Sequence, residues 1–159
     1  HFQSSAQSDE KSAIMVGFNT TGSEFVFWES NTYGFNVQYM REIVELGSGF
    51  SSLSLKASGL FADGMTGGYG GLNIRVDEPF FVDLDALFGY SNITNAELLK
   101  TYDRNITEYN DLAIITGLGL GYRFPNNPLI LRLAYAMHWA LSDNSGFNGG
   151  LNLQLGFKF

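Results

Sequence analysis

From Leu129 to Leu141 the chain reads LILRLAYAMHWAL, and every second side chain is large and apolar: Leu129, Leu131, Leu133, Tyr135, Met137, Trp139 and Leu141. The positions between them are Ile130, Arg132, Ala134, Ala136, His138 and Ala140. A period of two puts these sets on opposite faces of an extended strand and fits no helix. The chain contains no run of apolar residues long enough for a membrane-spanning helix, which needs about 18 or more. Any membrane span must therefore be built from strands.

The alternation recurs along the chain. Leu112, Ile114, Thr116, Leu118, Leu120, Tyr122 and Phe124 oppose a face of Ala113, Ile115, three glycines and Arg123. Between Phe80 and Tyr90, Phe80, Val82, Leu84, Ala86 and Phe88 oppose Phe81, Asp83, Asp85, Leu87 and Gly89. Leu72, Ile74 and Val76 oppose Tyr69, Gly71, Asn73 and Arg75; Leu53, Leu55, Ala57, Gly59 and Phe61 oppose Ser52, Ser54, Lys56, Ser58 and Leu60. Tyr33, Phe35, Val37 and Tyr39 oppose Gly34, Asn36, Gln38, Met40 and Glu42. Ile14, Val16 and Phe18 mark a first strand near Lys11 to Asn19, and Leu151, Leu153, Leu155, Phe157 and Phe159 mark the last. Eight strands result, with residues 1–10 read as a tail and 11–159 as one domain.

The connections alternate in length. Asp77 to Pro79 and Pro125 to Pro128 are tight, with proline and asparagine turn chemistry. Asn92 to Asp111 reads as a long polar loop, Ser142 to Gly150 and Thr20 to Thr32 as further loops, Ala62 to Thr66 as a shorter one, and Ile43 to Gly49 as a moderate turn. A soluble sandwich or lipocalin-like barrel accounts for the period alone. It leaves unexplained the weak polar face and the rings near strand ends. Charged residues are 16% of the chain, with 19 Gly, 14 Phe, 8 Tyr and 2 Trp, against about 25% charged in ordinary soluble domains. Apolar-out strands, small or polar inward faces and loops of alternating length predict an all-β fold: an eight-stranded antiparallel transmembrane up-and-down β-barrel.

The chain resembles the small eight-stranded outer-membrane barrels of Gram-negative bacteria over roughly Lys11 to Phe159. The resemblance implies a bacterial outer-membrane location and contact with outer-membrane lipid. It also implies that the last strand, with Phe157 and Phe159, is recognised by the barrel-assembly machinery. The opening residues show no charged segment followed by an apolar one, so any secretory signal is expected to have been removed.

Eight strands leave an interior that side chains can fill. Glu42, Lys56, Arg75, Asp83, Asp85, Arg123, Arg132 and Lys158 all take inward positions, so the expectation is a charge network that closes the lumen, since buried charges need partners. Asp83 and Asp85 have the spacing of a carboxylate pair for acid–base work, but the nearby cations make mutual neutralisation the better account.

The candidates for a catalytic role are His138 and Ser142. The last hairpin, AMHWALSDNSGFNGGLNLQLGF, is similar in layout to that of lipid A 3-O-deacylases, which resemblance implies a His-x-Ser-Asn motif completed by an acid on the last strand. Here Ala140 stands two after His138, and no acidic residue follows Asp143. Without an adjacent hydroxyl and an orienting acid, nucleophile activation is not expected from this strand. The second histidine is His1 and cysteine is absent, so neither a metal site nor a cofactor is expected.

A net charge of −7, with Lys and Arg totalling 9, argues against a nucleic-acid partner. Phe25, Val26, Phe27 and Trp28 form an apolar stretch in a loop. It reads either as a strand extension or as a contact for a protein or lipid ligand. Ala96 to Arg104 suits a short helix or bent hairpin. GGYGG, Gly67 to Gly71, lacks a phosphate-loop context and reads as a kink, and the NIT sequons at Asn92 and Asn105 read as coincidence in a bacterial envelope. The expected role is that of a barrel without an open pore, acting through its extracellular loops or as an envelope component. A lipid A-modifying hydrolase and a carrier of small apolar molecules with a cavity behind FVFW are the alternatives.

Overall fold

A computed structural model describes residues 11–22, 32–45, 51–76, 79–102, 106–141 and 146–159. Eight strands form one closed antiparallel barrel in chain order. They are β1 (Ser12–Thr21), β2 (Thr32–Glu45), β3 (Ser51–Ala62), β4 (Met65–Val76), β5 (Phe80–Ile93), β6 (Tyr109–Arg123), β7 (Leu129–Ala140) and β8 (Phe147–Lys158). Pairing of β1 with β8, from Ala13 opposite Lys158 to Asn19 opposite Asn152, closes the sheet and leaves no edge.

The inward and outward faces follow the period-two pattern. Phe18, Phe35, Leu118, Leu133 and Leu155 are half-exposed on the outside, and Phe80 is 75% exposed. Asn36, Lys56, Asp83, Arg132 and Gln154 are buried inside. That inversion is stable where the surroundings are lipid, because each outward leucine or phenylalanine then leaves water. Rings collect at both ends of the apolar band. Phe80, Tyr122 and Phe124 form a chain at the short-turn end, with centroids 4.8 and 5.0 Å apart. Phe18–Tyr33, Phe35–Phe61 and Trp139–Phe147 pair near the other end. These positions match the aromatic girdles that sit at the two membrane interfaces.

Four sequence boundaries need correction. All of GGYGG is strand, since Gly67–Gly71 pair with Leu87–Ser91 inside β4, so the strand begins ahead of Tyr69, which is buried on the inward face as its place in the alternation implied. β2 continues to Glu45 through a register shift between Glu42 and Val44, so Ile43 is not in a turn. β8 starts at Phe147, inside the expected loop. The expected loop from Asn92 to Asp111 is shorter and less polar than read: β5 runs to Ile93, β6 starts at Tyr109, and among the described residues between them Leu98–Thr101 form a 3-10 turn.

The described part of that connection folds inward as a lid. Leu98, Leu99, Tyr102 and Tyr109 pack with Met65 and Ile93 into an apolar cluster over the barrel mouth. The two-residue turn between β3 and β4 holds it, because Gly64 O accepts from Thr94 N at 2.8 Å and Asn95 N at 3.2 Å. Gly64 has φ +65°, and a Cβ there would lie 2.8 Å from Asn95, so both the turn and the contact require glycine.

Candidate functional site

The described chemistry lies in the lumen, in a charged layer and a hydroxyl–imidazole layer. In the first, Arg132 reaches from β7 to β5. Its Nη2 meets Asp83 Oδ1 at 2.6 Å and Asp85 Oδ2 at 2.8 Å, its Nε donates to Asp83, and its Nη1 donates to Gln154 at 2.7 Å. Lys56 on β3 reaches Asp85 at 2.7 Å, and Arg75 on β4 lies 3.7 Å from Asp83 and stacks on Phe81 with its guanidinium carbon 4.0 Å from the ring centre. Asn73 donates to Asp85 at 2.8 Å. Gly119 provides the room: a Cβ there would lie 2.4 Å from Asp83 Oδ1 and 2.6 Å from Arg132 Nε. The two carboxylates are saturated by donors, so neither is placed to work as a general base.

Glu42, Arg123 and Lys158 fall outside this layer. They line a small cavity of about 20 Å³ near the short-turn end with Lys11 and Arg75.

The second layer contains a residue the sequence reading missed. Ser91 Oγ lies 2.6 Å from His138 Nε2, and Tyr69 OH hydrogen-bonds Ser91 in turn. His138 stands edge-on to Tyr69 and Tyr109. The sequence reading sought a hydroxyl along β7; the barrel supplies one from β5, 47 positions away. A polar inward residue on each of two strands was the available signal, but their relative height depends on register. The pair lacks the third member of a triad, for His138 Nδ1 has no hydrogen-bond partner among the described residues. Ser91 is fully buried beneath the lid.

Between the layers lies a cavity of about 50 Å³, whose lining includes the polar Asn19, Gln38 and His138 and the apolar Leu60, Leu87 and Ile115. Ser142, Phe25, Val26, Phe27 and Trp28 lie outside the described residues. Phe157 and Phe159 are exposed on the outer face of the last strand and just past it.

No family model matches the chain, and no curated protein matches it. Solved structures do. The crystal structure of the outer membrane enzyme PagL superposes with a TM-score of 0.61 at 9% identity, over 92% of this chain and 99% of that one. The fold is that of the eight-stranded outer-membrane barrels. Ail, the attachment invasion locus protein of Yersinia pestis, solved with the heparin analogue sucrose octasulfate, gives 0.51 at 16% identity over 94% and 98%. Neisserial surface protein A gives 0.50 at 10% over 93% and 97%. The chain spans nearly the whole of each. At these identities the likeness is one of fold, and the outward apolar band agrees with it.

Proposed function

We propose that the protein is an integral barrel of the bacterial outer membrane, without an open pore, that acts at its extracellular end or as an envelope component. The observation that carries this reading is the closed lumen, spanned by Arg132, Asp83, Asp85 and Lys56 and covered by the Leu98–Tyr102 lid. Function is thereby left to the rim and the loops. The described rim carries exposed Asp63, Glu97, Glu108 and Asp111 against Lys100. A neutral or cationic partner suits that surface better than a polyanion of the kind seen bound to Ail. Phe25, Val26, Phe27 and Trp28 are the proposed apolar contact. Replacing Phe25, Phe27 and Trp28 with serine should leave a compact, heat-modifiable band in detergent and reduce cell-surface or lipid association. Retained association would remove the loop from the proposal, and a steady large conductance in planar bilayers would remove the closed lumen.

A second reading, a lipid hydrolase, has the Ser91–His138 contact behind it and the likeness in fold to an outer membrane enzyme. The missing orienting group and the burial of Ser91 favour the first reading. Ester or lipid A turnover lost in both Ser91→Ala and His138→Gln would reverse that order. An apolar carrier draws no support from the described cavity, whose lining includes the polar side chains Asn19, Asn36, Gln38, Asp85, Arg132 and His138.

A further inference from the structure

Among the described residues, Arg41 is the single charged side chain on an outward row of a strand. Lys56, Arg75, Asp83, Asp85 and Arg132 are buried in the lumen, and Glu42, Glu45, Asp111, Arg123 and Lys158 stand opposite the inward residues Ser54, Ser52, Ser91, Ile130 and Ala13. Arg41 instead pairs with Ser12 and with half-exposed Leu55, and is itself exposed. The apolar band continues past it, since Ile43 and Val44 on its short-turn side are 50% and 45% exposed. Glu42, next to it in sequence, lines the small cavity at the short-turn end. The Arg41 guanidinium has no hydrogen bond or ion pair among the described residues. A cation held against lipid costs free energy that grows with depth. Its flexible stem reaches headgroup level, where phosphate is the anion at hand.

Two hydroxyls complete the patch. Ser12 Oγ and Tyr39 OH lie 3.3 Å apart on the same outer face. A bond between them uses one of their O–H groups and leaves the other to donate. With the forked N–H donors of Arg41, the patch offers hydrogen-bond donors and positive charge, which is the chemistry that recognises a phosphate. Toward the middle of the membrane the surface falls away. Tyr39 pairs with Ala57, Ala57 with Gly70, and beside them Gly59 with Gly68. A Cβ at Gly68 would meet nothing within 4 Å, and one at Gly70 only Lys56 O, at 3.9 Å. Half-exposed Phe88, opposite Gly70, walls the far side. We infer that this face is a binding site for a glycerophospholipid of the leaflet on the short-turn side, its phosphodiester on Arg41, Tyr39 and Ser12 and one acyl chain along Ala57 and Gly70. In barrels of this kind the short turns are periplasmic, so the lipid belongs to the inner leaflet. The inference rests on the membrane placement proposed above and is independent of what the loops bind. The patch contains no carboxylate to pair with an ammonium headgroup, so phosphatidylglycerol fits it better than phosphatidylethanolamine.

The test is native mass spectrometry of the refolded barrel in a phosphate-free maltoside detergent, supplied in turn with phosphatidylglycerol, phosphatidylethanolamine and diacylglycerol, together with NMR of the Arg41 Nε–H group. Retention of one phosphatidylglycerol, a saturable Arg41 shift with that lipid, weaker retention of phosphatidylethanolamine and none of diacylglycerol are expected. Arg41→Gln should weaken retention about tenfold and Tyr39→Phe about threefold, as a charge-assisted and a neutral hydrogen bond are lost. Gly70→Leu, which fills the open trough, should also weaken it. Undiminished retention in Arg41→Gln, or equal retention of diacylglycerol, would overturn the site. Inorganic phosphate at the same concentration should not saturate the Arg41 shift; if it does, the patch takes a free anion and the lipid site is wrong. The three substitutions lie on the outer surface, so the heat-modifiable band should persist in each. Loss of that band in the unchanged protein would count against the barrel itself, and with it the site. Should a variant not refold, the comparison of lipids on the unchanged protein decides the matter by itself.

Discussion

Arg132 is 1% exposed and serves two carboxylates and an amide, so its loss leaves Asp83 and Asp85 buried beside too little positive charge. Arg132→Met is expected to destabilise the barrel by about 3–5 kcal/mol, read as a lower urea midpoint in lipid vesicles. Replacing Arg132, Asp83 and Asp85 together by apolar residues should cost less than the single change, because no stranded charge remains. Tyr102 shows the other side of burial. Removal from water, with Tyr109 and Tyr69 nearby, pushes its phenol above the ordinary value of 10.0. In an opened lid the phenol regains that ordinary value and ionises first. The closed state thus holds its proton to higher pH, and closure weakens as pH rises past 10.0. Loss of amide protection at Leu98 and Leu99 above that pH is the expected result, with Tyr102→Phe keeping protection over the same range. Among the described residues the only bond that change removes is a 3.4 Å contact from Asn148, worth no more than about 1 kcal/mol.

Strand β7 separates two kinds of substitution one residue apart. Leu133 is 48% exposed on the outer face and Ala134 is buried inside. Leu133→Arg should destabilise by roughly 2–4 kcal/mol if the site lies near the bilayer midplane, measured by unfolding in vesicles. Ala134→Arg should act instead by crowding the lumen, with little dependence on bilayer thickness. The faces of such strands were legible because a period of two needs no partner to be read. The ends were not: Gly67 to Gly71 carry few strand-forming side chains, and their pairing is fixed by the neighbours on β3 and β5. The lid was hidden for a related reason. Leu98, Leu99, Tyr102 and Tyr109 are scattered among polar residues and become a cluster only against Met65 and Ile93. Ser91 likewise gained meaning only when register set it beside His138. Gly64→Val should detach this lid, since a Cβ would meet Asn95 and disfavour the left-handed turn. Faster proteolysis between β5 and β6 with an unchanged barrel band is the outcome to look for.

At the scale of the whole molecule, the lumen interactions join strands that are not sheet neighbours: Lys56 on β3 and Arg132 on β7 both reach β5, while Gln154 on β8 donates to Asn36 on β2 at 2.7 Å. Such cross-braces resist flattening of the ring, which the ladder between adjacent strands alone does little to prevent. Asn36 also donates to Asn152 at 2.7 Å, so β2 and β8 are tied twice through the interior beneath β1. These two side-chain bonds span 116 and 118 positions, and neither can form while the sheet is an open ribbon. They are a built-in clock for assembly. A hairpin-by-hairpin insertion intermediate would have its outer surface in lipid and its turns made, yet this amide pair would still be apart. An isotope-edited amide signal or a spin-label pair at Asn36 and Gln154 would therefore mark the moment at which the ribbon becomes a tube.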